Sequence, residues 1–536
     1  MSRPTRWLLI IVCLGTFIRL AFLAASQMMI EGDEAAVGLQ ALHILRGERP
    51  IFYPGQAYLG NFESYITAAV FAIGGASRLT LKLVPLIFAL VFIYLCFRIG
   101  VEIFHDERIG LFAALAAAAP PVYVVMWSVK ARGGYIEALV LAQLAWLWIN
   151  RWAFSSPLSP VGQGDKGDKG ERSRTLRGLI AGLISGYAIW MNPITLYVFA
   201  PLGIVLTAHA LGHWRDWRNG VMPIVAVLLG ALIGLLPFIL FRIAYGDAAF
   251  GVVTNNVPPQ SAWRDLVEQV WQYFWRDSIP TLLGLRGPKD KPFALDWRVI
   301  VTPIYLVALM WLVRIARASH GAVVLLLMLL VVFPIFAVGA LAGGNFAAII
   351  PDSGLLTRYL LPLTIVCALA LAVLLTALPT RLRALALVVV LGVNVWTTIS
   401  ADAVALSRNE FANQPLPAIN AELIAFLDQA NLQHIFTNHW IGYPLMFDTR
   451  ERILTFDYAA PDLDRFPDAS AQVRAARNAA LVVFNPHYEP NPIDAKLKQL
   501  GISFKKQELA DFIVYYAFDR PFDPISLDDV LQWPYN

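Results

Sequence analysis

Charge is scarce in this sequence: Asp, Glu, Lys and Arg make up 15% of its 536 residues, against about 25% in soluble proteins. Cysteine is scarcer still, with Cys13, Cys96 and Cys367 all inside apolar stretches and no CxxC spacing. That excludes a disulfide framework and a cysteine-built zinc site. The net charge of +4 is small for this length, so no nucleic acid partner is expected. No Gly-rich phosphate loop is found either.

Apolar sequence is what the chain has in abundance. Hydrophobic residues account for 58%, and mean hydropathy is +0.59. Apolar runs recur from Trp7 to about Ser400, many of a length that crosses a bilayer. A soluble enzyme is ruled out. Arg3 and Arg6 precede the first run, which reads as an uncleaved span, Trp7–Ala25, with a cytoplasmic N-terminus. Further spans are expected at 79–100, 109–127, 136–152, 176–191, 194–212, 221–244, 297–314, 319–341, 358–378 and 383–400, about 11 in all. Asn61–Gly75 is apolar for only about a dozen residues, too short to cross, and reads as a re-entrant or interfacial helix. With that choice, Lys and Arg concentrate on the inner segments, as the positive-inside rule demands.

The expected fold class is mainly α: a polytopic membrane helix bundle over residues 1–400, followed by a soluble extracytoplasmic α/β domain over 401–536. Within the bundle lie a first outer loop at 27–78, a Gly/Ser/Pro-rich cytoplasmic linker at 153–175 and a long outer loop at 246–297. That outer loop holds NNVPPQSAW and the aromatic run VWQYFWRD, suited to an interface. In the C-terminal region PAINAELIAFLDQA has helical spacing, while HIFTN, RILTF, ALVVFN and DFIVYYAF read as strands. No nucleophile elbow is present there. His434 and His439 read as strand-edge histidines or, less simply, a metal pair; no catalytic role follows for this domain.

The first outer loop carries most of the chemistry. Glu31, Asp33 and Glu34 follow the first span directly, and Ala35–Arg46 has helical periodicity. Asp33 therefore falls at or near a helix N-cap, and reads either as that cap or as a general base at the membrane surface. Farther on, IFYPGQAYLGNFESYI offers Tyr53, Tyr58 and Tyr65 as amphipathic rings. Glu63 opens the short helix as a carboxylate in an apolar segment, a functional candidate or a helix-terminus charge. The second outer turn, WSVKARGGYIEAL, sets Lys130 and Arg132 before Gly133-Gly134, a pattern suited to an anion such as phosphate or to snorkelling side chains. Glu137 either neutralises Arg132 or stands apart. Arg358 and Tyr359, in PDSGLLTRYLLPL, sit on the outer side against the general charge bias. Asn192-Pro193 either shapes the same cavity or simply ends a helix.

In this order, a span, an acidic pair opening an interfacial helix, GQAYLG-N-F-E, and R-G-G-Y resemble the membrane-embedded C-type glycosyltransferases. The chain looks most like the bacterial branch of the protein O-mannosyltransferase and aminoarabinose-transferase superfamily. The resemblance covers residues 1–400. It implies transfer of a sugar, with inversion, from a polyprenyl-phosphate carrier to a lipid, glycan or protein acceptor on the outer side of the cell's inner membrane. It also implies Asp33 as base or acceptor-orienting group, with Glu34 as its neighbour in the acidic pair. The family's second-loop acidic residue is missing from KARGGY. Lys130, Arg132 and Arg358 are then expected on the donor phosphate, and Tyr58, Glu63, Tyr135 and Tyr359 against substrate. No cofactor is required and no metal site is indicated, although a divalent ion is compatible with the chemistry. The alternatives are a polytopic lipid or sugar transporter, or a non-catalytic envelope-assembly protein of the same fold.

Overall fold

The computed structural model describes residues 3–153, 168–212, 221–246, 263–285, 298–317, 319–342, 356–407, 410–411, 414–415, 420–458, 464–485, 492–521 and 523–527. NNVPPQSAW, most of the 153–175 linker and the PDSG before Leu355 lie outside the described residues, apart from Trp263 and the helix that begins at Asp168. Helices dominate. Five are long and apolar enough to cross a membrane: Arg3–Ala25, Arg78–Phe104, Pro193–Gly212, His320–Ala337 and Thr380–Ser400. Ile224–Gly234 and Leu236–Tyr245 make a sixth if their 52° bend is taken as one broken span. The remaining apolar helices, Phe62–Gly74, Thr175–Met191, Ile300–Ala316 and Leu363–Ala377, are shorter.

The N-terminal part of the chain is built from α1 (Arg3–Ala25), α2 (Gly32–Leu45), the hairpin β1 (Phe52–Tyr53) and β2 (Gln56–Gly60), α3 (Phe62–Gly74) and α4 (Arg78–Phe104). Helix α3 is 13 residues long, roughly 20 Å at 1.5 Å per residue, shorter than the roughly 30 Å hydrocarbon core of a bilayer. Then come α5 (Glu107–Ala118), α6 (Val122–Trp127) and α7 (Tyr135–Ala153). The sequence reads 109–127 as a single span; the chain breaks it at Pro120-Pro121, which can neither donate nor continue the helix. Arg19 of α1, 1% exposed, serves the freed carbonyls: its guanidinium donates to Ala118 O (3.1 Å), Ala117 O (3.3 Å) and Ser128 Oγ (2.9 Å). A buried cation at a helix C-terminus is well placed against its partial negative charge.

Small residues let helices touch elsewhere in the bundle. A Cβ on Gly186 would lie 2.0 Å from Ala231 O, and one on Gly230 2.1 Å from Leu179 O. These glycines let Asp168–Met191 and Met222–Gly234 pack backbone to backbone.

The C-terminal region forms a five-stranded sheet in the order Leu454–Asp457, His434–Thr437, Ala480–Phe484, Phe512–Tyr516 and Lys505–Glu508. The first three strands are parallel and the last two pair antiparallel. The strand Lys505–Glu508 has no apolar alternation and escapes a sequence reading; as an edge strand it is charged, which blunts edge pairing.

This region docks on the first outer loop. Helix His439–Asp448 packs along α2, with the Phe447 ring over Gly38, where a Cβ would meet the ring at 2.4 Å. Glu451 pairs with both His43 (2.6 Å) and Arg46, and Asp448 pairs with Arg78. The hydrogen bond to Glu451 is the largest cause of a raised His43 pKa. A raised histidine contributes stability that is full below the ordinary value of about 6.5 and is lost as pH rises through the raised one. Docking is therefore expected to loosen on the alkaline side, read as faster limited proteolysis between the two regions. Equal cleavage at neutral and alkaline pH would mean that the charge on His43 adds nothing to the docking.

Candidate active site

The acidic cluster opens α2, and its geometry differs from the sequence reading in one respect. The N-cap is Glu31, not Asp33; Glu34 closes a capping box with it. Asp33 stands in the first turn instead, 5% exposed, with its carboxylate turned to two arginines. Arg132 Nη2 meets Oδ2 at 2.5 Å, and Arg465 Nη1 meets Oδ1 at 2.6 Å. Tyr53 OH donates to the Asp33 carbonyl at 2.7 Å. Burial by itself would raise the Asp33 pKa; Arg132 and Arg465 outweigh it and hold the carboxyl well below the usual carboxylate range.

The neighbouring carboxylates are engaged too. Glu31 takes Arg132 Nη1 at 2.6 Å and has Lys130 Nζ at 3.4 Å. Glu34 Oε1 accepts from Lys82 Nζ (2.5 Å) and from the Ala131 amide (2.9 Å). Lys82, at the head of α4, was invisible to motif reasoning, because a lysine near a span end reads as an anchor.

Lys130 and Arg132 are thus buried ion-pair partners, not snorkelling side chains. They converge with Arg358 on one ring: Lys130 Nζ, Arg132 Cζ and Arg358 Cζ lie 5.5, 5.8 and 5.9 Å from the centre of Trp127. Arg358 also lies over Tyr135 (6.0 Å) and Tyr359 (5.1 Å), and donates to Tyr359 OH at 3.2 Å. Among the described residues no carboxylate lies within ion-pair distance of it. Tyr58 completes this corner electrostatically, with burial pushing its phenol up to about 12.

The double glycine turns as its positive φ values require, +69° at Gly133 and +65° at Gly134. Its amide is already taken: Gly134 N donates to Glu63 Oε2 at 2.7 Å. Asn192 supports the same turn, donating from Nδ2 to Gly133 O at 3.0 Å. Glu137 makes no ion pair with Arg132, whose partners are Glu31 and Asp33; both of its oxygens are buried and unbonded. The expected neutralisation fails because Glu137 lies in the first turn of α7, whereas Arg132 reaches across to α2.

Arg465 is the main residue the sequence reading missed. It lies 432 positions from Asp33, in a region without a recognisable motif, and no spacing signal links the two. His439, one of the two histidines considered as a metal pair, bonds Asp457 at 2.7 Å, while His434 Nδ1 has no partner. Among the described residues no group of three or more His, Cys, Asp or Glu could hold a metal ion.

No family model matches the sequence, and no curated protein matches it. Solved structures do. ArnT from Cupriavidus metallidurans, bound to undecaprenyl phosphate, is similar at a TM-score of 0.57 and 14% identity, covering 96% of this chain and 98% of that one. Its apo form gives a TM-score of 0.59 at 14% identity, over the same shares of both chains. The Archaeoglobus fulgidus oligosaccharyltransferase in complex with Zn and sulfate is similar at 0.52 and 14% identity, over 89% of this chain and 67% of that one. At such identities the likeness shows the fold: that of membrane glycosyltransferases of the C type.

Proposed function

We propose that this chain is a multi-pass glycosyltransferase of the inner membrane that moves a hexose or pentose from a polyprenyl-phosphate donor to an extracytoplasmic acceptor, with inversion. About 11 crossings, a cytoplasmic N-terminus and an extracytoplasmic domain over 401–536 belong to the same reading. The observation that carries it is the convergence of Lys130, Arg132 and Arg358 on Trp127, with Arg358 held by aromatic rings and without a carboxylate partner among the described residues. A part-buried arginine in that state is suited to an anion that arrives with substrate. The undecaprenyl phosphate bound to ArnT supports a lipid phosphate as that anion.

In this mechanism Arg358, with Lys130 and Arg132 behind it, stabilises the phosphate as it leaves the anomeric carbon. Asp33 fixes the two arginines that frame the site, and orients the acceptor through them. Glu34 locks Lys82 and the Ala131 amide in place. Tyr58, Tyr135 and Tyr359 wall the donor side, and Glu63 faces the acceptor. The donor's lipid tail partitions into the bilayer and reaches the site sideways, so no nucleotide pocket is needed.

The binding step is tested by native mass spectrometry of the protein in nanodiscs with undecaprenyl phosphate. Retention of one lipid phosphate by wild type, and its loss in Arg358→Ala, is the expected result. Equal retention by both would remove Arg358 from the phosphate site.

A further inference from the structure

The proton that must leave the acceptor has no obvious destination among the carboxylates of α2. Asp33 gives one oxygen to each of two guanidiniums, and a carboxylate so clamped is a weak base. Glu34 Oε1 is bonded twice, and Glu31 is held by Arg132 and Lys130.

A different carboxylate is unoccupied. Glu63, 3% exposed, uses only Oε2, on the Gly134 amide; its Oε1 is buried with no hydrogen-bond partner among the described residues. Around it the pattern repeats. Asn61, 1% exposed, at the N-cap of α3, has both side-chain atoms unbonded, and the hydroxyls of Ser64 and Thr67 on the same helix are also unbonded. Across the turn Glu137, fully buried, leaves both oxygens unbonded, one helical turn from the amide that Glu63 holds. Buried polar groups nearly always find partners. Five such side chains on two adjoining helix starts mark a place where a hydrogen-bonding ligand belongs.

We propose that Glu63 is the base that takes the acceptor's proton. This rests on the transferase reading above and names its acceptor side: a polyhydroxylated molecule whose other hydroxyls meet Asn61, Ser64 and Thr67. In the step, the acceptor O–H proton passes to Glu63 Oε1 as the oxygen bonds the anomeric carbon. The carbon–oxygen bond to phosphate breaks, and its electron pair leaves on the phosphate toward Arg358, Lys130 and Arg132.

The charged and titratable groups facing Glu63 are Glu137 from α7, Glu34 from α2, Lys82 from α4 and Tyr53 of the hairpin. Burial, and then the Glu137 charge, push Glu63 well above the ordinary carboxylate range, against the lowering effects of the Gly134 amide and Lys82. Asp33 is displaced in the opposite direction. The two candidate bases therefore predict different pH profiles.

The test uses the full chain in nanodiscs with a polyprenyl-phosphate sugar and an envelope-extract acceptor. With Glu63 as base, wild-type kcat/KM falls through an acid limb that lies above the free glutamate value of about 4.3. Glu63→Gln lowers kcat by about 10²- to 10⁴-fold with donor KM unchanged, and Glu63→Asp recovers part of the loss. Full turnover in Glu63→Gln, or a profile flat down to about pH 4, would overturn the base role alone. No turnover by wild type overturns the transferase reading and the base role with it.

Discussion

Asp33→Asn is expected to lower sugar transfer by about 10³-fold, the size of effect seen when a preorganised electrostatic group is removed. It is also expected to destabilise the protein by about 3 kcal/mol, because Arg465 is left largely buried with no carboxylate partner among the described residues, while Arg132 keeps only Glu31. From sequence alone one expects this substitution to spare the fold, since shape is kept. The ion pairs change that expectation. A depressed carboxylate contributes stability that is full above the ordinary aspartate value of about 3.9 and is lost as pH falls through the lowered one. The clamp is therefore complete across the neutral range, where activity would be measured. Adding Arg465→Gln to Asp33→Asn removes the stranded cation and should recover much of the stability while transfer stays low. A double variant no more stable than Asp33→Asn alone would mean that the two side chains are not energetically coupled.

Arg358→Ala should show the opposite stability signature. Arg358 has no carboxylate among the described residues and repels Arg132, so its removal relieves like-charge crowding in a buried corner. Stability should hold or rise slightly. The cost falls on the donor: losing a charge-assisted bond to phosphate is worth about 1.5–3 kcal/mol, roughly a 10- to 150-fold increase in the Michaelis constant for the lipid donor. Steady-state kinetics with the lipid phosphate sugar as the varied substrate read this directly. An unchanged constant with lowered stability would make Arg358 a structural anchor on Trp127 and Tyr359.

Much of the site was legible in the sequence because local chemistry announced it. Acidic residues directly after a span, cations before a double glycine, and an arginine on the outer side each break a rule of membrane composition, and such breaks are what a linear reading detects. Lys130, Arg132 and Arg358, which the family resemblance groups on a donor phosphate, meet on one indole. Partnership was not legible. Arg465 comes from the other end of the chain, Lys82 resembles a span anchor, and the capping box that displaces Asp33 from the N-cap depends on side-chain reach rather than on spacing. Pro120-Pro121 was a visible breaker inside a run whose hydropathy alone spoke for continuity. The charged edge strand Lys505–Glu508 has no pattern to read, because its place is set by the Phe512–Tyr516 strand it pairs with.

Release of free polyprenyl phosphate is the most direct measurement. Purified protein in nanodiscs is offered a panel of polyprenyl-phosphate hexoses and pentoses together with a cell-envelope extract. Mass spectrometry then follows the lipid product for wild type, Asp33→Asn and Arg358→Ala. A lipid-linked sugar transferase releases polyprenyl phosphate from at least one donor, and releases far less in both variants. Folded wild-type protein that releases none from any donor, with the extract present, would contradict that function.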